Sequence, residues 1–337
     1  MKQVSFVAGK AFHGNKIFDK HQTDLQVGNF DKYYALYNEF KKNGYEIATD
    51  DINKIAESDI RLYFDMPKKL PAKEDKDKSY LLAIESSIIR PDNFDKSKHS
   101  HFNKIFTWND NLVDDNKYIK INYSFSLPKE ITKEIRRKKL CCLIVSNKIS
   151  SLKNELYSER VTLVEWFEEN HINDFALYGF GWDSFMFSSR KFIRGLNKLP
   201  FIKEVIYKLF GKKYKSYKGK VDSKLETMKN YRFAIAYENV KDENGYITEK
   251  IFDVLIAGCV PVYWGAKNIT DYVLEECFID RRKFKNNTEL YNYMKNMKDH
   301  EYLKYLINIE KYLNSEKAQQ FSANTFAKTI VKNSIGT

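Results

Sequence analysis

The chain has 337 residues, more than one hydrophobic core usually supports, so two domains are expected. Apolar residues make up 43% of it, with only 13 Gly and 6 Pro, which excludes a disordered or collagen-like chain. Lys and Arg number 57 against 45 Asp and Glu, which leaves a net charge of +12. This charge favours an anionic partner, whether nucleic acid, an acidic membrane surface or a phosphorylated substrate.

The four cysteines form neither a disulfide framework nor a paired Cys-x-x-Cys zinc motif. A reducing, cytoplasmic compartment fits this usage best. The apolar run at the N-terminus is too short for the core of a signal peptide. The run from Val254 to Ala266 is interrupted by Gly258 and Pro261, so we expect no membrane-spanning segment.

The first half of the chain alternates short, β-rich apolar runs with polar, lysine-rich helical stretches, a pattern typical of βαβ units on a parallel sheet. Strands are predicted at residues 4–6, 45–48, 60–64 and 80–84. The pattern breaks at Leu127-Pro128, and a charged run follows as far as Lys139. The interdomain connection is therefore expected between residues 122 and 139.

A second alternating series follows, with strands predicted at residues 140–145, 175–178, 233–237, 260–264 and 277–280. Two successive α/β sheets indicate two Rossmann-like domains facing a cleft, with ligands bound outside the carboxyl ends of the strands. We divide the chain into an N-terminal domain (1–138), a C-terminal domain (139–316) and a helical tail (317–337). The tail could pack back across the cleft or be a plain terminal helix.

One strand–turn–helix segment has the features of an anion site. The buried strand 233–237 ends at Glu238-Asn239, and a turn leads to a helix that Thr248 can N-cap and Gly258 can terminate. A helix N-terminus attracts phosphate, and Lys250 in the first turn adds a full positive charge. On this reasoning a phosphate site and a buried βαβ crossover with a stray surface lysine are about equally favoured.

These residues resemble the donor motif of glycosyltransferase family 10, the α-1,3/α-1,4-fucosyltransferases. The matching parts are Tyr-Ile-Thr-Glu-Lys at residues 246–250 and Val-Pro-Val at 260–262, with the expected gap between them. The resemblance runs from about residue 80 to 281 and takes in residues 106–110, 145–147, Arg160 and 178–179. The first eighty residues match only in predicted architecture.

The resemblance implies a GT-B fold, GDP-fucose as the donor and an inverting displacement at the anomeric carbon of fucose. Arg160 and Lys250 would then contact the donor pyrophosphate, with Asn239 and Tyr246 near it. Glu249 would accept hydrogen bonds from the ribose hydroxyls. Fixed cations suit this chemistry because the departing GDP gains negative charge. Without the resemblance, Arg160 would be read as a surface salt bridge.

An inverting transfer needs a base for the acceptor proton, and a carboxylate at a strand end suits that role. Glu85 follows the strand 80–84 and occupies the position of the family's Glu-Ser-Pro, here Glu85-Ser86-Ser87. The missing proline weakens the assignment, so a capping or surface carboxylate is the alternative reading. Asp110, which follows Trp108, is the reserve candidate for the base.

No metal site is expected, and no cofactor beyond a non-essential Mg²⁺ or Mn²⁺. The pairs Asp50-Asp51 and Asp114-Asp115 lack a chelating Asp-x-Asp arrangement, and the six histidines show no ligand spacing. The Gly179-x-Gly181 sequence after a predicted strand lacks the third glycine of a dinucleotide fingerprint, so a turn is predicted there.

The segment from Arg190 to Lys220 contains eleven Lys or Arg residues and one acidic residue, Glu204. Its apolar residues recur at helical spacing, which fits a basic amphipathic element on an anionic membrane surface. An ordinary solvated helix packed on the domain fits equally well.

The sequence therefore predicts an inverting, metal-independent fucosyltransferase with a glycan acceptor, such as GlcNAc or glucose of a surface polysaccharide or lipopolysaccharide that can be lipid-linked. Its predicted place is the cytoplasm, with peripheral contact to the inner face of the membrane, and nucleic acid is not a predicted partner. Two alternatives remain open at this stage. One is a GT-B enzyme that uses another nucleotide sugar in capsule or O-antigen synthesis, and the other is a non-catalytic, basic protein that binds nucleic acid or membrane.

Overall fold

The computed structural model describes residues 1–19, 30–137, 139–184, 201, 205–207 and 211–336. The chain divides into two compact units. The N-terminal unit comprises Met1–Leu127, Asn244–Tyr246 and Glu316–Thr337, and the C-terminal unit comprises Pro128–Glu243 and Ile247–Ser315. Most of the predicted segment 190–220 lies outside the described residues.

The N-terminal unit is built on a six-stranded parallel sheet with the strand order β2-β1-β3-β4-β5-β6. The strands are β1 (Lys2–Val7), β2 (Tyr45–Thr49), β3 (Ile60–Phe64), β4 (Ser79–Ala83), β5 (Lys104–Thr107) and β6 (Tyr118–Lys120). The short strands β5 and β6 were not among the predicted strands.

The described part of this unit contains helix α1 (Asp31–Lys42) and two helices near the C-terminus of the chain, Glu316–Gln319 and Ala323–Ser334. Short 3₁₀ helices fill its loops, at Lys10–Phe12, Lys16–Phe18, Ile55–Glu57, Lys73–Lys78, Pro91–Phe94 and Lys96–His101.

The C-terminal unit contains a five-stranded parallel sheet with the order β11-β10-β9-β7-β8. Its strands are β7 (Lys139–Ile144), β8 (Phe175–Tyr178), β9 (Tyr231–Tyr237), β10 (Val260–Trp264) and β11 (Ile279–Asp280). The central strand β9 is buried along almost its whole length, as expected for a parallel strand covered on both faces. These two sheets confirm the predicted pair of Rossmann-like α/β folds.

Among its described residues, the C-terminal unit contains the helices α2 (Tyr157–Asn170), α3 (Lys224–Met228), α4 (Glu249–Ile256), α5 (Ile269–Tyr272), α6 (Asn287–Asn296) and α7 (Asp299–Leu313), with 3₁₀ helices at Ile172–Asp174, Glu275–Cys277 and Arg281–Lys283. The chain then returns to the N-terminal unit through α8 (Glu316–Gln319) and α9 (Ala323–Ser334).

The division into units differs from the predicted domains at three places. One is Asn244–Tyr246, which lies within the predicted C-terminal domain but belongs to the N-terminal unit. The boundary lies at Leu127-Pro128, where the sequence pattern breaks, and not at residue 138. The predicted tail belongs to the N-terminal unit because α9 supplies Phe326, Ile330 and Val331 to the same apolar core as Val4 and Phe6 of β1. Burial of this apolar face fixes α9 on the first sheet.

Candidate active site

Both sheets reverse their strand order beside their first strand, and ligands of open α/β sheets bind at the carboxyl ends of strands at such a switch point. In the C-terminal unit this point lies between β7 and β9. Ser146 and Asn147 follow β7, and Glu238 and Asn239 follow β9. A nucleotide bound by this unit is therefore expected near the end of β9.

Arg160, in the first turns of α2, reaches the end of β9. Its guanidinium donates hydrogen bonds to the carbonyl oxygens of Tyr237 and Glu238, both at 2.7 Å, and to Oδ1 of Asn239 at 3.2 Å. The side chain is buried, with Arg160 only 3% exposed, and it lies over the Tyr157 ring at 5.0 Å. Arg160 is therefore not a surface salt bridge: it fixes the chain end from which Asn239 projects.

Glu238 is fully buried and links this chain end to the start of α4. Its carboxylate accepts a hydrogen bond from the backbone N–H of Thr248 at 2.8 Å and one from the Thr248 hydroxyl at 2.6 Å. Burial raises the pKa of Glu238, and the nearby charge of Lys250 opposes that shift. Thr248 does stand at the N-cap position, but its hydroxyl donates to Glu238 and does not cap the helix.

Lys250 has acidic partners within the chain. Its Nζ lies 3.4 Å from Oε2 of Glu238 and 3.1 Å from Oε1 of Glu249, and its side chain is 13% exposed. A lysine at this disfavoured end of a helix is thus explained partly by the buried carboxylate beside it. Glu249, the first residue of α4, has a side chain that is 43% exposed.

Gly265 makes the position of Glu238 possible. A Cβ atom at Gly265 would lie 2.4 Å from Cγ of Glu238 and 2.5 Å from the Tyr263 hydroxyl. Any side chain at this position would therefore displace the buried carboxylate. Glu238 was not among the predicted site residues, although a charged residue directly after a buried strand is a signal that could have identified it.

Within the C-terminal unit, the structure thus brings four of the five predicted donor residues to the end of β9 and the start of α4: Arg160, Asn239, Glu249 and Lys250. Tyr246 belongs to the N-terminal unit. Its buried ring lies 4.8 Å from the Trp108 ring and 6.1 Å from the Tyr123 ring. Within that unit, the contacts of Tyr246 support a role in aromatic packing.

The loop that carries Glu85 is held by a buried polar network. Asp65, directly after β3, accepts hydrogen bonds at Oδ1 from the backbone N–H groups of Ile84 and Glu85, each at 3.1 Å, and from the Asn93 side chain at 2.7 Å. The carbonyl oxygen of Ile84 accepts a bond from the Trp108 indole at 2.9 Å. Glu85 is therefore carried by a fixed peptide, even without the family's proline.

Asp65 is a second residue that the sequence analysis missed. It is 4% exposed and adopts a left-handed conformation (φ 59°), which is uncommon for a residue other than glycine. Burial raises the pKa of Asp65, and its hydrogen bonds to Glu85, Asn93 and Ile84 oppose that shift. Such strain is retained where the surroundings require it, and here it aims the carboxylate at the backbone of Glu85.

Asp110, the reserve candidate, forms an ion pair with Lys120, whose Nζ also donates to the carbonyl oxygen of Trp108 at 2.6 Å. A Cβ at Gly245 would lie 2.2 Å from that same oxygen and 2.9 Å from Cγ of Asp110. The ion pair and the tight packing around it favour a structural role for Asp110.

Among the described residues, no helix is long and apolar enough to cross a membrane. The same part of the chain brings together no group of three or more His, Cys, Asp or Glu side chains able to hold a metal ion. All four cysteines are buried free thiols.

Residues 188–331 match the model of the glycosyltransferase family 10 (fucosyltransferase) C-terminal domain. The matched segment covers less than half of the chain. This match confirms the resemblance to the family to which the motif at residues 246–250 pointed.

Two curated relatives match over short segments. The chain is 43% identical over 72 residues to an alpha-(1,4)-fucosyltransferase of Arabidopsis thaliana and 32% identical over 80 residues to an alpha-(1,3)-fucosyltransferase of Helicobacter pylori. The segments cover 21% and 24% of this chain, and 18% and 16% of the two relatives. The chain therefore matches less than a fifth of the length of these relatives.

Solved structures match over nearly the whole chain. A crystal structure of an alpha1,3-fucosyltransferase with GDP aligns with a TM-score of 0.57 at 16% identity, and the alignment covers 99% of this chain and 90% of that one. Anabaena Alr3699/HepE in complex with UDP and glucose aligns with a TM-score of 0.54 at 10% identity and 99% coverage of both chains. At such identities these likenesses show the fold, which is the predicted GT-B type.

Proposed function

We propose that this protein transfers L-fucose from GDP-β-L-fucose to a hydroxyl group of a glycan acceptor, with inversion at the anomeric carbon. The observation that carries the proposal is the grouping of Arg160, Asn239, Glu249 and Lys250 around one strand end in a family 10 domain. Two cations and a helix N-terminus at a switch point suit a nucleoside diphosphate.

In the proposed reaction the acceptor oxygen attacks the anomeric carbon while the bond from that carbon to the phosphate oxygen breaks. GDP leaves with the bonding electron pair, and Lys250 and Arg160 stabilise the charge that develops on the pyrophosphate. The Glu85 carboxylate takes the proton of the acceptor hydroxyl. Glu249 accepts hydrogen bonds from the ribose. Tyr246 is proposed to lie near the donor through its place in the motif.

The acceptor is proposed to be GlcNAc or glucose of a surface polysaccharide, a lipopolysaccharide or a glycosylated protein, with an α-1,3 linkage. The enzyme would act in the cytoplasm and would contact an anionic membrane through residues 190–220. Co-sedimentation with anionic vesicles tests that contact. No step uses a metal, so transfer is expected to survive EDTA treatment.

The decisive experiment supplies labelled GDP-fucose, GDP-mannose, UDP-glucose and UDP-galactose in parallel, with oligosaccharides that end in GlcNAc, glucose or galactose. Transfer from GDP-fucose alone supports the proposal. Transfer from a UDP-sugar would support the alternative, a GT-B enzyme that uses another nucleotide sugar. If none of the donors bound, the protein would be the non-catalytic alternative.

A further inference from the structure

Phe180 is an exposed aromatic residue at the ligand-binding edge of the second sheet. It follows β8 by two residues, and 47% of it is exposed. Burial of a phenylalanine side chain normally stabilises a fold, so the exposed Phe180 ring does not contribute that stabilisation. A ligand that covers the ring would restore it.

The turn that carries Phe180 is rigid. Gly179 and Gly181 have φ angles of 122° and 83°, and a Cβ at Gly179 would lie 2.1 Å from the carbonyl oxygen of Val145. The carbonyl oxygen of Phe180 accepts a hydrogen bond from the backbone N–H of Asn147 at 2.8 Å. The exposed ring therefore does not result from a loose loop.

Further hydrogen bonds tie this turn to the segment beside β8. The N–H of Gly179 donates to the carbonyl oxygen of Gly219 at 3.0 Å, and the Tyr217 hydroxyl donates to the carbonyl oxygen of Gly179 at 2.8 Å. Lys220, next along the chain, places its Nζ 4.8 Å from the centroid of the Phe180 ring. The ring thus stands beside a positive charge.

The position of this ring suits one part of a nucleotide. β8 is two strands away from β9 in the sheet, so the two carboxyl ends are about 10 Å apart. The predicted pyrophosphate residues lie at the end of β9, and in a nucleoside diphosphate a ribose separates the base from the phosphates. A base at Phe180 is therefore compatible with phosphates at Lys250 and Arg160.

Trp264, at the end of β10 on the other side of β9, is the competing aromatic residue. Its ring is already approached by Lys241 at 4.9 Å, by Arg281 at 5.6 Å and by the Tyr237 ring at 5.6 Å. Trp264 is also less exposed than Phe180, so it offers less open ring surface.

We infer that Phe180, on the turn between Gly179 and Gly181, is the stacking platform for the purine base of the nucleotide donor. The inference rests on the proposed function for the donor class and adds to it the place of the base. Nucleobases stack on exposed aromatic side chains because every base presents a π face.

Calorimetric titration with GDP and with inorganic pyrophosphate tests this assignment on the wild type, Phe180→Ala and Phe180→Tyr. Phe180→Ala is expected to weaken GDP binding roughly 5- to 100-fold and to leave pyrophosphate binding unchanged, and Phe180→Tyr is expected to retain GDP binding. Tyr293→Ala, at a residue of the same unit that is 43% exposed, is the matched control and should bind both ligands normally.

Unaltered GDP binding by Phe180→Ala would overturn the assignment, and so would an equal loss of GDP and pyrophosphate binding, because that would indicate a disturbed fold. A wild type that binds no GDP would overturn the proposed donor together with this inference. The first two results would leave the proposed donor in place.

Discussion

At the scale of single residues, the candidate site depends on charges that are buried and already paired. Arg160 donates to backbone oxygens, and Glu238 holds Thr248 and Lys250. A buried charge that loses its partner is costly, so a simple alanine substitution here would mix loss of folding with loss of activity. A variant that removes both charges of a buried pair leaves no unpaired charge, so it separates loss of activity from loss of folding.

The first prediction concerns Lys250. The double variant Lys250→Met/Glu238→Gln removes the cation without leaving a buried carboxylate unpaired. We expect it to fold, to bind GDP more weakly and to lose about 10²–10³ in kcat/KM, because one preorganised cation no longer meets the departing GDP. Transfer assays and GDP titrations measure both effects.

Lys295→Met is the matched control, since Lys295 pairs with Asp174 of the same unit at 2.7 Å outside the site. It should retain GDP affinity and turnover. A folded double variant with normal GDP binding and turnover would contradict the pyrophosphate assignment of Lys250.

The second prediction separates Glu85 from Asp110. Glu85→Gln is expected to lower kcat by about 10²–10⁴ and to leave GDP-fucose affinity intact, because the base acts only on the acceptor proton. Asp110→Asn breaks the ion pair with Lys120 and is expected to lower thermal stability with little loss of kcat. Calorimetry of GDP-fucose binding beside steady-state kinetics distinguishes these outcomes.

If Asp110→Asn instead showed the large kcat loss and Glu85→Gln turned over normally, the base would be Asp110. If Glu85→Gln lost activity only through weaker donor binding, its role as the base would be wrong.

At the scale of elements, helix α4 shows what a sequence reveals about a site and what it does not. Its end was predictable because Gly258 adopts the left-handed conformation (φ 63°) that stops a helix. The sequence predicted where the helix starts, but not which group the Thr248 hydroxyl contacts. That hydroxyl donates its hydrogen bond to Glu238, which lies ten residues earlier, after β9. Local rules identify a cap residue, but they do not identify a long-range partner.

The third prediction concerns that helix end. Gly219, also in the left-handed region (φ 91°), has open space around an added Cβ, whereas a Cβ at Gly258 would lie 2.4 Å from the carbonyl oxygen of Thr132. We expect Gly219→Ala to cost about 1–2 kcal/mol of unfolding free energy. Gly258→Ala should cost about 1–3 kcal/mol more, through overpacking. Urea unfolding of both variants tests this, and equal costs would contradict it.

At the scale of the whole molecule, the two sheets were predictable because apolar strands and helical stretches alternate along the chain. Glu85 and Asn239 were predicted because they follow strands, and Glu249 because it opens the helix after the motif's turn. The pairing of β5 and β6, the return of α9 to the first unit, and the buried role of Asp65 were not predictable, because each depends on contacts between distant parts of the chain.

The response of the fold to pH depends partly on one buried histidine. His99 is 2% exposed, with Nε2 at 2.9 Å from the carbonyl oxygen of Asn93 and Nδ1 at 3.0 Å from the Tyr118 hydroxyl. A carbonyl oxygen only accepts, so Nε2 carries the proton and Nδ1 accepts from Tyr118. Burial lowers the pKa of His99 below its usual value, and Asn93 in turn holds Asp65.

The fourth prediction follows from the sign of that shift. In the unfolded chain His99 takes up a proton near pH 6.5, but in the folded chain it does so only at lower pH. The contribution of neutral His99 to stability is therefore complete above about pH 6.5. It is lost as the pH falls through the pKa of the folded state. Between pH 7.5 and 5 the wild type should therefore lose up to about 1.4 kcal/mol of unfolding free energy per pH unit more than His99→Gln, whose amide can make both hydrogen bonds without titrating. His300→Gln, at an exposed histidine, should follow the wild type. Urea unfolding of the three proteins across this range measures the difference, and parallel curves for the wild type and His99→Gln would show that His99 does not set the acid limit of the fold.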